Sequence, residues 1–175
     1  MVEPKLMERR MEEHQWEELY RTLLPRVFHY FSYRVGSIPQ AEDLTATTFE
    51  KAWRSRWRFR GDEDGFARWV FGIARHVAAD YFRKDGHVTL ALEKARLVDE
   101  HPSPEEYVQS KDDFEHLTIL LQKLSVRERE LIALKYGAGM TNRAIAEVTG
   151  LSESNVGTIL HRSVNRLRLL WKEKE

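Results

Sequence analysis

No cysteine occurs in the 175 residues, which rules out disulfides and cysteine-ligated zinc and fits a reducing cytoplasm. The seven histidines are scattered, with no HExxH or other ligand spacing, so no metal is expected, and no cofactor. No apolar run is long enough to span a bilayer, and the first twenty residues are rich in Glu and Arg without an apolar segment; membrane insertion is not expected. Catalytic groupings are missing as well. The nearest thing to a cluster, Asp62, Asp64, Asp80 and Asp85, has a spacing that suits helix capping and surface charge better than metal or nucleophile chemistry, so no enzyme is expected. Net charge is also absent, 28 basic residues balancing 28 acidic ones.

What remains is a chain with ample apolar content, 42% hydrophobic and 11% aromatic, enough for one medium domain or two small ones. Its charge is segregated. Residues 51–84 carry nine basic and four acidic side chains, whereas 93–115 carry eight acidic and three basic. The middle block between the basic ones also holds Gly86, Pro102, Ser103 and Pro104, so it reads as a linker with a short helical piece around Leu90 to Val98. It is either a soluble spacer or a shield over a basic surface. The expected organisation is an N-terminal extension at 1–11, a domain at 12–86, a linker at 87–111 and a second domain at 112–175.

Apolar positions recur at three and four throughout, with no strand pattern and no internal repeat, so the expected fold is all-α. Trp16, Leu19, Leu23, Val27, Tyr30 and Phe31 mark a first helix that Pro25 is expected to kink or interrupt. A second is expected from Gln40 to Phe59 and a third from Phe66 to Lys84, with Arg68, Arg75 and Arg83 opposite its apolar face. Further on come a helix near Phe114 to Lys123 and another opened by a capping box, Ser125 to Glu128.

Residues 141–160, TNRAIAEVTGLSESNVGTIL, have the pattern of a helix-turn-helix. Thr141 and Ser152 can cap its two helices, and Gly150 gives the turn its backbone freedom. Ile145, Ala146, Val148, Val156, Ile159 and Leu160 supply the apolar faces. The second helix leaves Glu153, Asn155, Thr158, His161 and Arg162 for solvent or a major groove, and Arg162, Arg166, Arg168 and Lys172 follow with no acidic residue between. The pattern points to duplex DNA; the other reading is a helical hairpin inside an unrelated fold. Upstream, WRFRGDEDGFARWVFGIARHVAADYFRK mixes aromatic rings with arginines, which suits stacking on unpaired bases, although most of those rings are needed for a core in so small a domain.

Three blocks in order, AEDLTATTFEKAW, FRGDEDGFARWVFGIARHVAADYFRK and LSVRERELIALKYGAGMTNRAIAEVTGLSESNVGTILHRSVNRLR, resemble bacterial RNA polymerase sigma factors of the extracytoplasmic-function (ECF) type over about residues 13 to 171. The resemblance implies two helical domains, sigma regions 2 and 4, that serve as a promoter-specificity subunit for a stress- or signal-responsive promoter set. It implies that Glu42, Asp43, Leu44, Phe49, Lys51 and Trp53 bind the coiled coil of the largest polymerase subunit, with the polymerase flap as a further contact. Phe59, Arg60, Gly61 and Asp62, with Ile73, His76 and Asp80, would form the pocket for a base flipped from the minus-ten element, and Arg68, Arg75, Arg83 and Lys84 would hold its backbone. Ser152, Glu153, Asn155, Thr158, His161, Arg162 and Arg166 would dock on the minus-thirty-five element. An anti-sigma factor is the implied regulator, able to hold the otherwise cytoplasmic, nucleoid-associated protein at the membrane. The linker would run near the RNA exit path.

Two positions depart from the usual pattern. His76 stands where Asn is common, which implies a different base preference, a group titrating near neutral pH, or simply a substitute donor. Thr47 stands where Glu is frequent, so that Thr45, Thr47 and Thr48 lie beside Glu42 and Asp43, where phosphorylation would add negative charge. A conventional helix-turn-helix regulator that acts without polymerase is the alternative function, and a DNA-processing enzyme a third.

Overall fold

The computed structural model describes residues 13–84 and 104–172, with side chains placed for 15–84 and 111–172. These residues are helical, with no strand among them. The linker piece expected at Leu90 to Val98 and the extension at 1–11 lie outside the described residues.

The first half is a three-helix bundle of α1 (Glu13–Val35), α2 (Ile38–Ser55) and α3 (Glu63–Lys84). Pro25 stands inside α1, so of the two effects expected of it, a kink or an interruption, the helix shows no interruption. Proline costs a helix about 3 kcal/mol through its missing N–H and ring clash. Here it sits exposed, while Leu23, Val27, Tyr30, Phe31 and Val35 on both sides of it are buried in one core, and that burial offsets the cost. Gly36 and Ser37 turn the chain into α2, which starts two residues before the expected Gln40 because Ile38 is itself a core residue and Pro39 fits the first turn. It stops at Ser55, short of the expected Phe59. A single 3-10 turn, Arg56–Arg58, follows, with the Arg56 guanidinium 3.5 Å from the centre of the Trp53 ring and donating to the Trp53 carbonyl at 2.8 Å. The third helix begins at Glu63, three residues early, because Asp62 caps it: the Gly65 N–H donates to Asp62 Oδ1 at 2.8 Å.

The second half comprises α4 (Pro104–Gln122), α5 (Val126–Ile132), α6 (Asn142–Thr149) and α7 (Glu153–Lys172). The expected capping box opens α5, with the Glu128 N–H donating to Ser125 Oγ at 3.2 Å and the Ser125 N–H to Glu128 Oε2 at 2.8 Å. A π-helical turn, Ala133–Gly137, extends α5 through a bond from the Ala138 N–H to the Ala133 carbonyl. Helices α6 and α7 form the helix-turn-helix. Thr141 accepts from the Ala144 N–H, Ser152 from the Asn155 N–H, and Gly150 turns the corner at φ 75°.

The two halves share one continuous core. Val27, Tyr30, Phe31, Phe66 and Phe71 belong to the same buried cluster as Leu131, Leu134, Ile145, Val156 and Leu160. Helix α1 packs on the π turn and α5, and α3 packs on α6. The closest approach is at Gly137, where a Cβ would lie 2.9 Å from the His29 carbonyl oxygen of α1. Arg26 Nε donates to the Ala138 carbonyl at 2.7 Å, and the buried Arg34 donates to the Val126 carbonyl at 3.1 Å while lying 5.0 Å from the centre of the Phe82 ring. Burial lowers the pKa of Arg26, with Asp64 opposing the shift.

Candidate nucleic-acid interface

The loop before α3 is built from its own side chains. Arg60 donates to the carbonyls of Trp57 (2.7 Å) and Phe59 (2.9 Å), Asp62 caps α3, and Gly61 lies exposed between them. The half-buried Phe59 packs against Phe66 and Trp69, with ring centres 5.2 and 5.5 Å away. These aromatic rings therefore serve the core first, as the size of the domain requires. Trp57 is different. It is 58% exposed, with the Arg58 guanidinium 4.9 Å from its ring centre. It opens the stretch expected to suit unpaired bases but is not among the residues assigned to the base pocket, although its place in the run RSRWRFR is a usable signal.

On α3, Ile73, His76 and Asp80 fall at spacings of three and four, hence on one face. Ile73 is half-buried and His76 exposed, with Nδ1 2.8 Å from the Gly72 carbonyl oxygen. A carbonyl oxygen only accepts, so Nδ1 is the donor of this contact. Asp80 pairs with Arg83 at 2.9 Å and Lys51 at 3.9 Å, tying this face of α3 to α2; Lys84 is exposed.

Arg68 and Arg75 face the second half of the chain. Arg68 Nε lies 2.9 Å from Glu147 Oε2 of α6, and Glu147 also meets Arg143 at 3.5 Å. Arg75 Nε lies 2.8 Å from Glu130 Oε1 of α5, and its Nη1 donates to the Val148 carbonyl. Beside them the Tyr30 hydroxyl is fully buried, with no hydrogen bond of good geometry although the Arg34 guanidinium is adjacent. Burial pushes its pKa up to about 12.

On α2, Glu42, Asp43 and Lys51 are exposed, Leu44 and Trp53 half-buried and Phe49 buried. Trp53 meets Trp16 edge-on at 5.1 Å and Phe49 meets Tyr20 at 4.8 Å, so both rings support the exposed residues rather than join them. Thr45 and Thr48 are buried and bonded to the carbonyls of Ala41 and Leu44, which leaves Thr47, bonded to the Asp43 carbonyl, as the accessible threonine of the three.

On α7, Glu153, Asn155, Thr158, His161 and Arg162 are all exposed, and Asn155, Thr158 and Arg162 share one face. Thr158 donates to the Ser154 carbonyl at 3.0 Å. His161 Nε2 lies 3.0 Å from Asn165 Nδ2, a partner that sequence reading missed. Arg166 reaches back to Glu128 at 3.6 Å. No helix among the described residues is long and apolar enough to cross a membrane.

Residues 19–88 match the family Sigma-70 region 2, and residues 117–167 match Sigma-70, region 4. The ECF RNA polymerase sigma factor BldN of Streptomyces coelicolor is 30% identical over 87% of this chain, which spans 58% of that protein's length. The RNA polymerase sigma factor CarQ of Myxococcus xanthus is 30% identical, with 91% of each chain covered. The fold is that of the sigma factor RpoE in its complex with the anti-sigma factor NepR from Bartonella quintana, with a TM-score of 0.71, 22% identity, and 90% of this chain and 96% of that one covered. The capped helix-turn-helix, the helical half before it and these matches together mean that the chain belongs to the ECF-type sigma factors of RNA polymerase, the subunits that direct transcription to promoters.

Proposed function

We propose that the chain directs core polymerase to a stress- or signal-responsive promoter set by reading a minus-thirty-five duplex with α7 and melting a minus-ten element through the loop and outer face of α3. The observation that carries this is the row of exposed polar side chains on α7, Asn155, Thr158, His161 and Arg162, presented by a helix whose capping and turn are complete. Ser152 and Arg166 flank that row and suit phosphate positioning, while the Glu153 carboxylate suits accepting from a cytosine amino group. At the other end, Phe59, Arg60, Gly61 and Asp62 with Ile73, His76 and Asp80 receive a flipped base, and Arg68, Arg75, Arg83 and Lys84 hold its strand. Melting is driven by trapping unstacked bases, so the chain itself needs no hydrolytic chemistry.

Residues 12–86 and 112–175 then act as the two units, with 87–111 as their tether. Glu42, Asp43 and Lys51, backed by Leu44, Phe49 and Trp53, grip the coiled coil of the largest polymerase subunit, and the second unit meets the flap. The relative of like fold solved with NepR supports an anti-sigma factor as the regulator that holds this chain, in the cytoplasm or at the membrane, until it is needed.

The test is transcription in vitro with sigma-free core polymerase on a fragmented genomic library, with sequencing of transcript starts. Discrete starts sharing two motifs about 17 base pairs apart are expected. Duplex binding without any association with core polymerase would instead mean a conventional regulator.

A further inference from the structure

Within the exposed row of α7, His161 is held by another side chain of the same helix. His161 and Asn165 are both exposed and four residues apart, hence neighbours on the helix surface, and His161 Nε2 lies 3.0 Å from Asn165 Nδ2. The turn beneath them is anchored. Leu160 and Ser163 are buried, and Ser163 donates to the Ile159 carbonyl at 2.8 Å. Neighbouring polar groups are engaged elsewhere, Thr158 with the Ser154 carbonyl at 3.0 Å and Arg166 with Glu128 of α5 at 3.6 Å. An amide nitrogen has hydrogens to give and no lone pair to offer, so Asn165 Nδ2 is the donor of the contact and His161 Nε2 the acceptor. A ring nitrogen that accepts carries no proton. The hydrogen of the imidazole then sits on Nδ1, and His161 has one N–H to give and no acceptor left.

We propose that Asn165 is a positioning residue for base reading: by donating to Nε2 it holds His161 in the Nδ1–H form, so that the imidazole donates to an acceptor on a base edge and does not accept from an amino group. The major-groove partners this selects are purine N7, guanine O6 and thymine O4, against the amino groups of adenine and cytosine. A histidine without such a partner interconverts between its two neutral forms and offers either polarity. The amide removes that choice before DNA arrives, as an orienting hydrogen bond fixes the tautomer of a metal-bound histidine. That role rests on the reading of α7 as the helix that docks on the minus-thirty-five duplex.

Nitrogen NMR of the full chain carrying isotope-labelled histidine, with His161 assigned by its missing signals in His161→Gln, reports which ring nitrogen holds the hydrogen in mildly alkaline buffer. The parent should show Nδ1–H. Asn165→Asp, whose carboxylate only accepts, should move the hydrogen to Nε2, and Asn165→Ala should give a mixture. Transcription by the holoenzyme from minus-thirty-five elements substituted one base pair at a time supplies the functional readout. His161→Ala should abolish discrimination at one base pair, whose preferred form presents an acceptor. Asn165→Ala should reduce discrimination at that same pair at least about fivefold and leave the other pairs unchanged. Both residues are exposed and Ala is the better helix former, so neither loss comes from unfolding. A parent ring with its hydrogen on Nε2, or full discrimination in Asn165→Ala, overturns the positioning role. If discrimination survives Asn165→Ala but not His161→Ala, α7 reads the duplex without help from Asn165. If it survives His161→Ala at every pair, the assignment of His161 to the duplex is what falls.

Discussion

Arg75 Nε and Glu130 Oε1 stand 2.8 Å apart across 55 residues of sequence, joining the third helix of one half to the first short helix of the other. Their side chains are 27% and 18% exposed, so the pair is shielded enough to matter yet costly to desolvate. A double-mutant cycle of Arg75→Ala and Glu130→Ala, read from urea midpoints, is expected to give a coupling of about 1–2 kcal/mol. A coupling near zero would leave the closed arrangement to its apolar contacts alone.

Tyr30 should behave unlike an ordinary core tyrosine. Its hydroxyl is buried without a well-formed hydrogen bond, so Tyr30→Phe removes an unsatisfied polar group and should raise stability by about 1 kcal/mol at neutral pH. The unfolded chain ionises this group near its ordinary value of 10, the folded chain only at about 12. Stability is thus fully present below pH 10 and falls as pH climbs towards 12, by on the order of 2–3 kcal/mol from this group. Denaturant midpoints followed from pH 8 to 11.5 should show a shallower alkaline loss in Tyr30→Phe than in the parent.

The capping box supplies the acid limb. Hydrogen bonding from the Ser125 backbone, more than the nearby Arg166, holds the Glu128 carboxyl below its ordinary value. Its contribution is present above the ordinary carboxylate range and is lost as pH falls through the lowered value. Glu128→Ala should cost about 1 kcal/mol at pH 7. The difference between variant and parent should shrink on titration towards pH 3, and a pH-independent difference would show that the carboxylate is not the active group.

Gly150 sets the angle between α6 and α7 from φ 75°, a region where a Cβ costs about 1–2 kcal/mol. Nothing lies within 4 Å of an added Cβ there, so the cost is purely conformational. Gly150→Ala should lower the melting temperature by a few degrees and weaken duplex binding, while leaving association with core polymerase intact. Equal loss of both activities would mean global unfolding instead.

The sequence displayed the helix-turn-helix almost completely, because Thr141, Gly150 and Ser152 each carry a local backbone requirement that residue type alone reveals. Helix starts were less legible. Asp62 advances α3 through a cap that apolar periodicity does not register, and Ile38 advances α2 because it joins the buried face of Ala41, Phe49 and Ala52 earlier than Pro39 suggested. At Pro25 the local cost was legible, and the burial on both sides that carries α1 through it was not. The partners of Arg68 and Arg75 were illegible for a deeper reason: Glu147 and Glu130 lie far along the chain, and net charge segregation says nothing about which carboxylate meets which guanidinium.

Two sites at opposite ends of the chain should fail separately. Asn155 and Arg162 lie on an exposed face of α7; in the proposed reading their amide and guanidinium read base edges, and each such contact is typically worth about 1–3 kcal/mol. Trp57 is an exposed aromatic ring beside the loop before α3, flanked by Arg56 and Arg58, and in the proposed reading an unpaired base stacked on it is worth about 1–3 kcal/mol. Asn155→Ala and Arg162→Ala should therefore weaken binding to a minus-thirty-five duplex about tenfold or more and leave a single-stranded minus-ten oligonucleotide unaffected. Trp57→Ala should do the reverse, and in the holoenzyme it should slow promoter opening, read as permanganate reactivity of unpaired thymines, without changing initial duplex binding. Loss of both activities in any one of the three would mean that the residue supports the fold and not a single contact.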